Sequence, residues 1–292
     1  MSLIALLLVV LAALLHAGWN IVAKRHDGGP HFAMLSAAAM ALVWSPFGAT
    51  LAIDAISSWT LSVWAAVFAS GIVHLVYFNA LLTGYRVADL TVVYPVARGT
   101  GPLLASVGAF VWLQEDITAV GILGLLAITL GVVSIAGGRA LFRRLDGPGR
   151  SRRRRGIAWG LFIGALIALY TVIDGYAVKS LLVAPIVMDW TSNLIRTLFM
   201  LPRTLYDRPG FAREFRRGWR PALVLGVLSP LGYILVLYAI TLAPLSRVAP
   251  ARELSLLFAA LAGGKLLGEG ERGTRLLGAC LIAVGVMALA WR

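Results

Sequence analysis

The chain has one cysteine, Cys280, and it lies inside an apolar stretch. A single thiol cannot close an internal disulfide or build a cysteine-based metal site. Charge is also sparse: 13% of the 292 residues are charged, where a soluble domain carries roughly 25%. Acids are the rarest, with 13 Asp and Glu against 26 Lys and Arg, a net charge of +13. The four histidines lack metal-ligand spacing. There is no phosphate-binding glycine loop, zinc motif or nucleophile elbow. A nucleotide-hydrolysing pump needs a soluble motor, for which the chain has no room.

What the chain has instead is apolar length. Hydrophobic residues make up 60% of it and its mean hydropathy is +0.86. Apolar stretches of about 20 residues recur, long enough to cross a ~30 Å hydrocarbon core. This predicts an all-α polytopic membrane protein with ten spans, near 2–23, 32–53, 60–85, 89–113, 118–138, 157–178, 185–202, 221–242, 244–266 and 274–291. The first stretch contains His16, Trp19 and Asn20 and lacks a basic leader or a small-residue cleavage site. It reads as a spanning helix rather than a signal peptide. Trp59, Trp219 and Trp291 fall at span ends, where an aromatic belt belongs.

Basic residues take sides. An even number of spans puts both termini on one side, which keeps only Lys179, Arg247 and Arg292. The other side receives Lys24, Arg25, Arg86, the run RALFRRLDGPGRSRRRR (139–155), the run RTLYDRPGFAREFRRGWR (203–220), Lys265, Arg272 and Arg275. That richer side is predicted to be cytoplasmic and the termini periplasmic, in a bacterial inner membrane. Orientation and anionic lipid headgroups account for the positive charge, so no nucleic-acid partner is expected.

The 139–155 run also sits at mid-chain, and its Gly-Pro-Gly marks a linker. The halves on either side resemble each other. VADLTVVYP (87–95) aligns with LAPLSRVAP (242–250) at an offset of 155. Beyond it the offset is 154, pairing Arg98 with Arg252, Glu115 with Glu269, Gly124 with Gly278, Ile128 with Ile282 and Gly131 with Gly285. His16 pairs with Tyr170 and Asn20 with Asp174. Five spans per repeat is an odd number, so the second repeat must run inverted. The expected division is a first five-helix repeat over 1–138, a basic linker over 139–156 and a second five-helix repeat over 157–292. Inverted repeats are typical of secondary transporters, whose site lies near the midplane between them.

Arg98 stands about 14 Å into its span and Arg252 about 12 Å into the opposite one, at 1.5 Å per residue. A charge at that depth costs at least ~2.5–3.5 kcal/mol unless it meets a partner or a wet cavity. Pro95, Pro102 and Pro250 lie close by and are expected to break the helices and free carbonyls. Two readings stand side by side. The arginines bind a substrate carboxylate or phosphate, or they neutralise internal acids such as Glu253 and cap broken helices. Glu253 is either a proton-coupling carboxylate or a structural counter-ion, the latter favoured. HAGWN (His16–Asn20) and YTVID (Tyr170–Asp174) each place polar side chains four apart on one face. They could gate opposite ends of a cavity, or simply hydrogen-bond between helices. His74, Tyr77 and Phe78 share a face and, with Tyr94 and Trp19, could line an aromatic cavity, though aromatics more often serve packing. Asp189, Asn193 and Arg196 predict a polar network on the seventh span. Glu115 and Glu269 read as helix-end contacts.

These motifs resemble the EamA-type transporters of the drug/metabolite transporter superfamily. The resemblance rests on ALLHAGWNIVAKR, YRVADLTVVYPVARGTGPLL, and LAPLSRVAPARELSLLFA followed by LLGE. It implies two inverted five-helix repeats around a central cavity lined by the third, fourth, eighth and ninth spans. It places Tyr77, Tyr94, Pro95, Arg98, Pro250 and Arg252 there. Members include amino-acid exporters, among them those of the YddG type. Many members are drawn with cytoplasmic termini, the opposite of what the arginines predict here.

The expected function is export of a small metabolite, most simply an amino acid, with possible proton coupling, no cofactor, no metal and no catalytic residues. The alternatives are a transporter of phosphorylated or lipid-linked metabolites, an intramembrane enzyme using His16 and His74, and a membrane scaffold.

Overall fold

A computed structural model describes residues 1–26, 29–88, 90–116, 118–137, 148–263 and 272–291. The described residues are all-helical, in eleven helices. They are α1 (Leu3–Arg25), α2 (Pro30–Ile56), α3 (Leu61–Val87), α4 (Leu90–Leu113), α5 (Ala119–Gly137), α6 (Pro148–Lys179), α7 (Pro185–Tyr206), α8 (Arg208–Leu242), α9 (Leu245–Ala251), α10 (Leu254–Gly263) and α11 (Arg272–Ala290). Six of them, α1 to α4, α6 and α8, hold segments long and apolar enough to cross a membrane. Ala119–Ile135 and Leu276–Ala290 are shorter apolar helices. The seventh predicted span is α7, whose Asp189, Asn193 and Arg196 dilute its apolar character. The ninth is α9 and α10 end to end.

Sorting by size rather than polarity decides which faces turn inward. On α1, Ala5, Val9, Ala12, Ala13 and Ala17 are buried while Leu3, Ile4, Leu7, Leu11 and Leu14 are exposed. In hydrocarbon, large apolar side chains gain nothing by turning inward, and small ones let backbones approach. The same rule packs α6 along α4. Gly156, Gly160 and Gly164 meet Val92, Val96 and Thr100 in parallel register; a Cβ on Gly160 would lie 2.6 Å from Val96 Cβ.

The contact between α5 and α11 is reciprocal and antiparallel. A Cβ on Gly124 would lie 2.9 Å from Gly285 O, and one on Gly285 2.6 Å from Gly124 O. Gly131 meets Gly278 O at 2.6 Å and Gly278 meets Gly131 O at 2.7 Å. Ile128 packs on Gly285 as Ile282 packs on Gly131, and Ile135 on Gly278 as Leu289 on Gly124. Every pair exchanges partners at an offset of 154, the relation of a self-complementary two-fold contact.

Two sequence expectations change here. Pro95 and Pro102 do not break their span, because α4 runs unbroken from Leu90 to Leu113 with both inside it. Ser106 Oγ donates to Pro102 O at 2.9 Å and Thr100 Oγ1 to Val96 O at 2.7 Å, which adds side-chain bonds to a helix that lacks two backbone donors. Only the second-half counterpart is interrupted. It turns at Arg252 and Glu253, immediately after α9 and its Pro250. The arginine-rich runs are also more helical than loops. Α6 already starts at Pro148, inside the predicted linker, and α8 starts at Arg208. Asp207 starts α8 by accepting from Gly210 N–H at 2.9 Å. Residues 139–147, Asp89, Lys265, Leu267 and Glu269 lie outside the described residues, as do the side chains of Lys24, Arg25, Arg272 and Arg275.

The N-terminal ammonium donates to Ala290 O at 3.0 Å, so both termini share one end of the bundle.

Candidate functional site

Arg98 leaves the middle of α4 and meets the turn between α9 and α10. Its Nη2 stands 2.9 Å from Glu253 Oε2 and donates to Ser255 Oγ at 3.2 Å. The Arg98 and Glu253 side chains are 15% and 4% exposed, so the pair is almost dry. The counter-ion reading of Glu253 therefore has a geometric basis, and the charge of Arg98 is met within the protein.

Arg252 is placed differently. Its guanidinium lies over the ring of Tyr233 on α8, 5.3 Å from the centroid, a cation–π contact. Among the described residues no carboxylate comes within salt-bridge distance of it. The Tyr233 hydroxyl donates to Asp174 Oδ2 on α6. Asp174 is 1% exposed, and its Oδ2 is 3.9 Å from His74 Nε2 on α3. Tyr170 stacks on His74 with ring centroids 4.1 Å apart, and Tyr77 meets Tyr170 edge-on at 5.5 Å. Helices from both halves thus bring His74, Tyr77, Tyr170, Asp174, Tyr233 and Arg252 into one cluster.

Not every predicted residue joins it. Tyr94 packs against the main apolar core. His16 lies within electrostatic reach of both Arg98 and Arg252 and touches Trp19 edge-on at 4.8 Å. Trp19 packs instead against the cluster of Phe32, Leu35 and Leu225, away from Tyr77. Asn20 donates to His16 O on its own helix at 2.6 Å, so plain helix bonding accounts for it. Phe78 turns away toward a 140 Å³ cavity shared with His31 and Arg203.

The seventh-span network forms as expected. Asn193 donates to Asp189 Oδ2 at 2.9 Å, and Arg196 donates to Asn193 Oδ1 at 2.6 Å.

Sequence reading missed Tyr233, which only the pairing of third and eighth spans could have suggested. The helix-end contact expected of Glu115 forms, whereas two histidine–carboxylate contacts at the opposite end of the bundle were not foreseen. At the terminal end, Glu115 accepts from Lys179 Nζ at 2.7 Å, Leu245 N–H at 2.7 Å and Ser246 N–H at 2.9 Å. It ties α4 to α6 and caps α9. Burial pushes the Glu115 carboxyl up, but the bonds from Lys179 and the two backbone donors outweigh it and hold it below its ordinary value. At the opposite end, His26 meets Glu214 at 2.6 Å and His31 meets Asp207 at 2.8 Å. The His31 hydrogen bond, then the one from Gly210, holds Asp207 below the usual carboxylate range. Their partners stand 188 and 176 residues apart, so no local pattern announces them.

Residues 154–291 match the EamA-like transporter family, so the second half carries a domain of that family. Such a domain implies a membrane transporter of the drug/metabolite type, and the apolar helices support a multi-pass membrane protein. No curated protein matches the chain. A solved structure described only as "Crystal structure of protein" superposes with a TM-score of 0.71 at 16% identity, covering 97% of this chain and 95% of that one. That likeness establishes a shared fold. Among the described residues there is no group of three or more His, Cys, Asp or Glu placed to hold a metal ion.

Proposed function

We propose that the protein is a secondary transporter that exports a small carboxylate-bearing metabolite, most simply an amino acid, by alternating access. Two inverted five-span halves rock about the buried cluster between them. The reciprocal α5–α11 contact supports the inverted relation, since its partners exchange at the offset that relates the two halves in sequence.

The observation that carries the substrate class is the inequality of the two arginines. Arg98 is neutralised by Glu253, whereas Arg252 rests on an aromatic face with no acid in contact among the described residues. Arg252 is the anion receptor in this reading. One unmatched guanidinium suits the single charge of a carboxylate, held by two parallel hydrogen bonds. A phosphorylated substrate would favour two free cations. Tyr77, Tyr170 and Tyr233 supply faces for an apolar or aromatic side chain, as expected of an exporter of the YddG type. His16 and Tyr170 flank the site from α1 and α6 as gates. The protein sits in a bacterial inner membrane with periplasmic termini and performs no catalysis.

Counterflow in liposomes tests this. Purified protein is loaded with unlabelled amino acids in one set of vesicles and sugar phosphates in another, and entry of the matching labelled compound is followed. Amino-acid exchange supports the reading. Exchange of sugar phosphates alone overturns the substrate class.

A further inference from the structure

Asp174 is a buried carboxylate that, among the described residues, no cation neutralises at hydrogen-bonding distance. Its Oδ2 accepts from Tyr233, while its Oδ1 makes no hydrogen bond among the described residues. The nearest basic nitrogen is His74 Nε2, 3.9 Å from Oδ2. The other imidazole nitrogen, Nδ1, lies 2.9 Å from Ser70 O. A carbonyl can only accept, so Nδ1 carries the hydrogen of that bond. Nε2 is then the ring nitrogen left to gain or lose a proton, and it is the one that faces Asp174.

We propose that His74 and Asp174 together form a proton-carrying site, which couples the transport described above to proton movement. The pair holds one exchangeable proton. It adds as an N–H bond at His74 Nε2 or an O–H bond at Asp174, coming from water on one side, and leaves to water on the other. No other bond changes. Without that proton the pair is a carboxylate beside an uncharged imidazole, net negative, and adding the proton cancels the buried negative charge.

The surroundings fit this assignment. Tyr233 of α8 holds Asp174 Oδ2, and Tyr170 of α6 covers the imidazole. Ser70 of α3, itself 3.0 Å from Ser192 of α7, fixes the ring from behind. Arg252 acts from beyond Tyr233, and Arg196 and Asp189 act from α7 with opposite signs. Glu253, the carboxylate that sequence reading singled out, is a poorer carrier. A permanent guanidinium stands 2.9 Å away, so a proton added to Glu253 would leave that buried cation unmatched. His74 belongs to the first half of the chain, and Asp174 and Tyr233 to the second. Loading or unloading the proton therefore changes the attraction between the parts that must move apart. That is the requirement for coupling: the ligand must favour one arrangement over the other.

The proposal rests on the transporter reading, and two arms keep their failures apart. The first needs no substrate. Infrared difference spectra of the purified full chain, recorded across a pH series, report the C=O band of a protonated carboxyl. Wild type should show a band that titrates, Asp174→Asn should lose it, and His74→Gln should move its midpoint by about one pH unit or more. A wild-type spectrum without the band, or a band unchanged in Asp174→Asn, overturns the proton site. The second arm measures labelled amino-acid accumulation in liposomes under an imposed pH gradient. Wild type should accumulate more with the gradient than without it. Asp174→Asn and His74→Gln should both lose that dependence. Gradient-driven accumulation that survives in Asp174→Asn overturns the proposal even if the infrared band is present. If no amino acid moves in wild type while the band behaves as expected, the transport reading falls and the proton site stands.

Discussion

Arg98 on α4 and Glu253 at the α9–α10 turn approach to 2.9 Å, and this contact joins the first half of the chain to the second. It occurs where the ladder of the ninth span is interrupted, so the charge pair and the helix break are one feature. The Glu253 N–H reaches Pro250 O at 3.0 Å, and Ser255 N–H reaches Arg252 O at 3.1 Å, which keeps the turn tight and aims both side chains inward.

Removing one partner of this pair leaves the other charge buried and unmatched. Glu253→Gln should cost about 3–5 kcal/mol of stability. Arg98→Met combined with Glu253→Leu should recover most of that loss. Thermal unfolding in detergent checks both. A double variant no more stable than Glu253→Gln would mean that the contact does more than neutralise charge.

Glu115 gives a pH signature. Its folded carboxyl is held below the ordinary value of 4.5 by Lys179 and two backbone donors, against the opposing effect of burial. Its contribution is fully present above that ordinary value. It is lost as the pH falls toward and through the lower folded value. The unfolding temperature of wild type should therefore fall on acidification through this range, and Glu115→Gln should show a shallower fall from a lower starting point. Equal slopes in the two proteins would remove Glu115 from the account.

The α5–α11 contact predicts matched effects in distant parts of the chain. Gly131→Val and Gly285→Val should destabilise by similar amounts, about 1–3 kcal/mol, because each drives a side chain into the backbone of the other helix. Gly99→Ala should be tolerated, since its added methyl would stand 3.6 Å from Thr129 and Val133. Denaturation midpoints in one detergent provide the comparison, and a large gap between the two valine variants would contradict the reciprocal packing.

A C-terminal reporter decides orientation. The arginine distribution predicts that a fused phosphatase that matures only in the periplasm is active and that a fused fluorescent protein that fails there is dark. The reverse pattern would place the termini in the cytoplasm.

Much of the fold was legible in the sequence because lipid imposes simple rules on length and charge. The apolar stretches mark the helices, and the 154 offset marks Gly124, Gly131, Gly278 and Gly285, the glycines of the α5–α11 contact. The Asp189–Asn193–Arg196 network followed from helical spacing alone. Pro95 and Pro102 misled, because a proline signals a lost donor but not whether the helix is interrupted, and α4 runs through both. Trp19 misled because its position on α1 fits two faces, and only packing against Phe32 and Leu35 chooses between them. Contacts such as His26–Glu214 and Tyr233–Asp174 join residues far apart in the chain, so they depend on how the helices pack.

The central claim is that the two arginines divide the work, Arg98 holding the halves together and Arg252 receiving the substrate. Amino-acid counterflow and unfolding temperature measured side by side on Arg98→Gln and Arg252→Gln test it most directly. The account predicts that Arg98→Gln lowers the unfolding temperature sharply, while Arg252→Gln changes it little and abolishes exchange. Exchange that survives in Arg252→Gln at wild-type rate would contradict it.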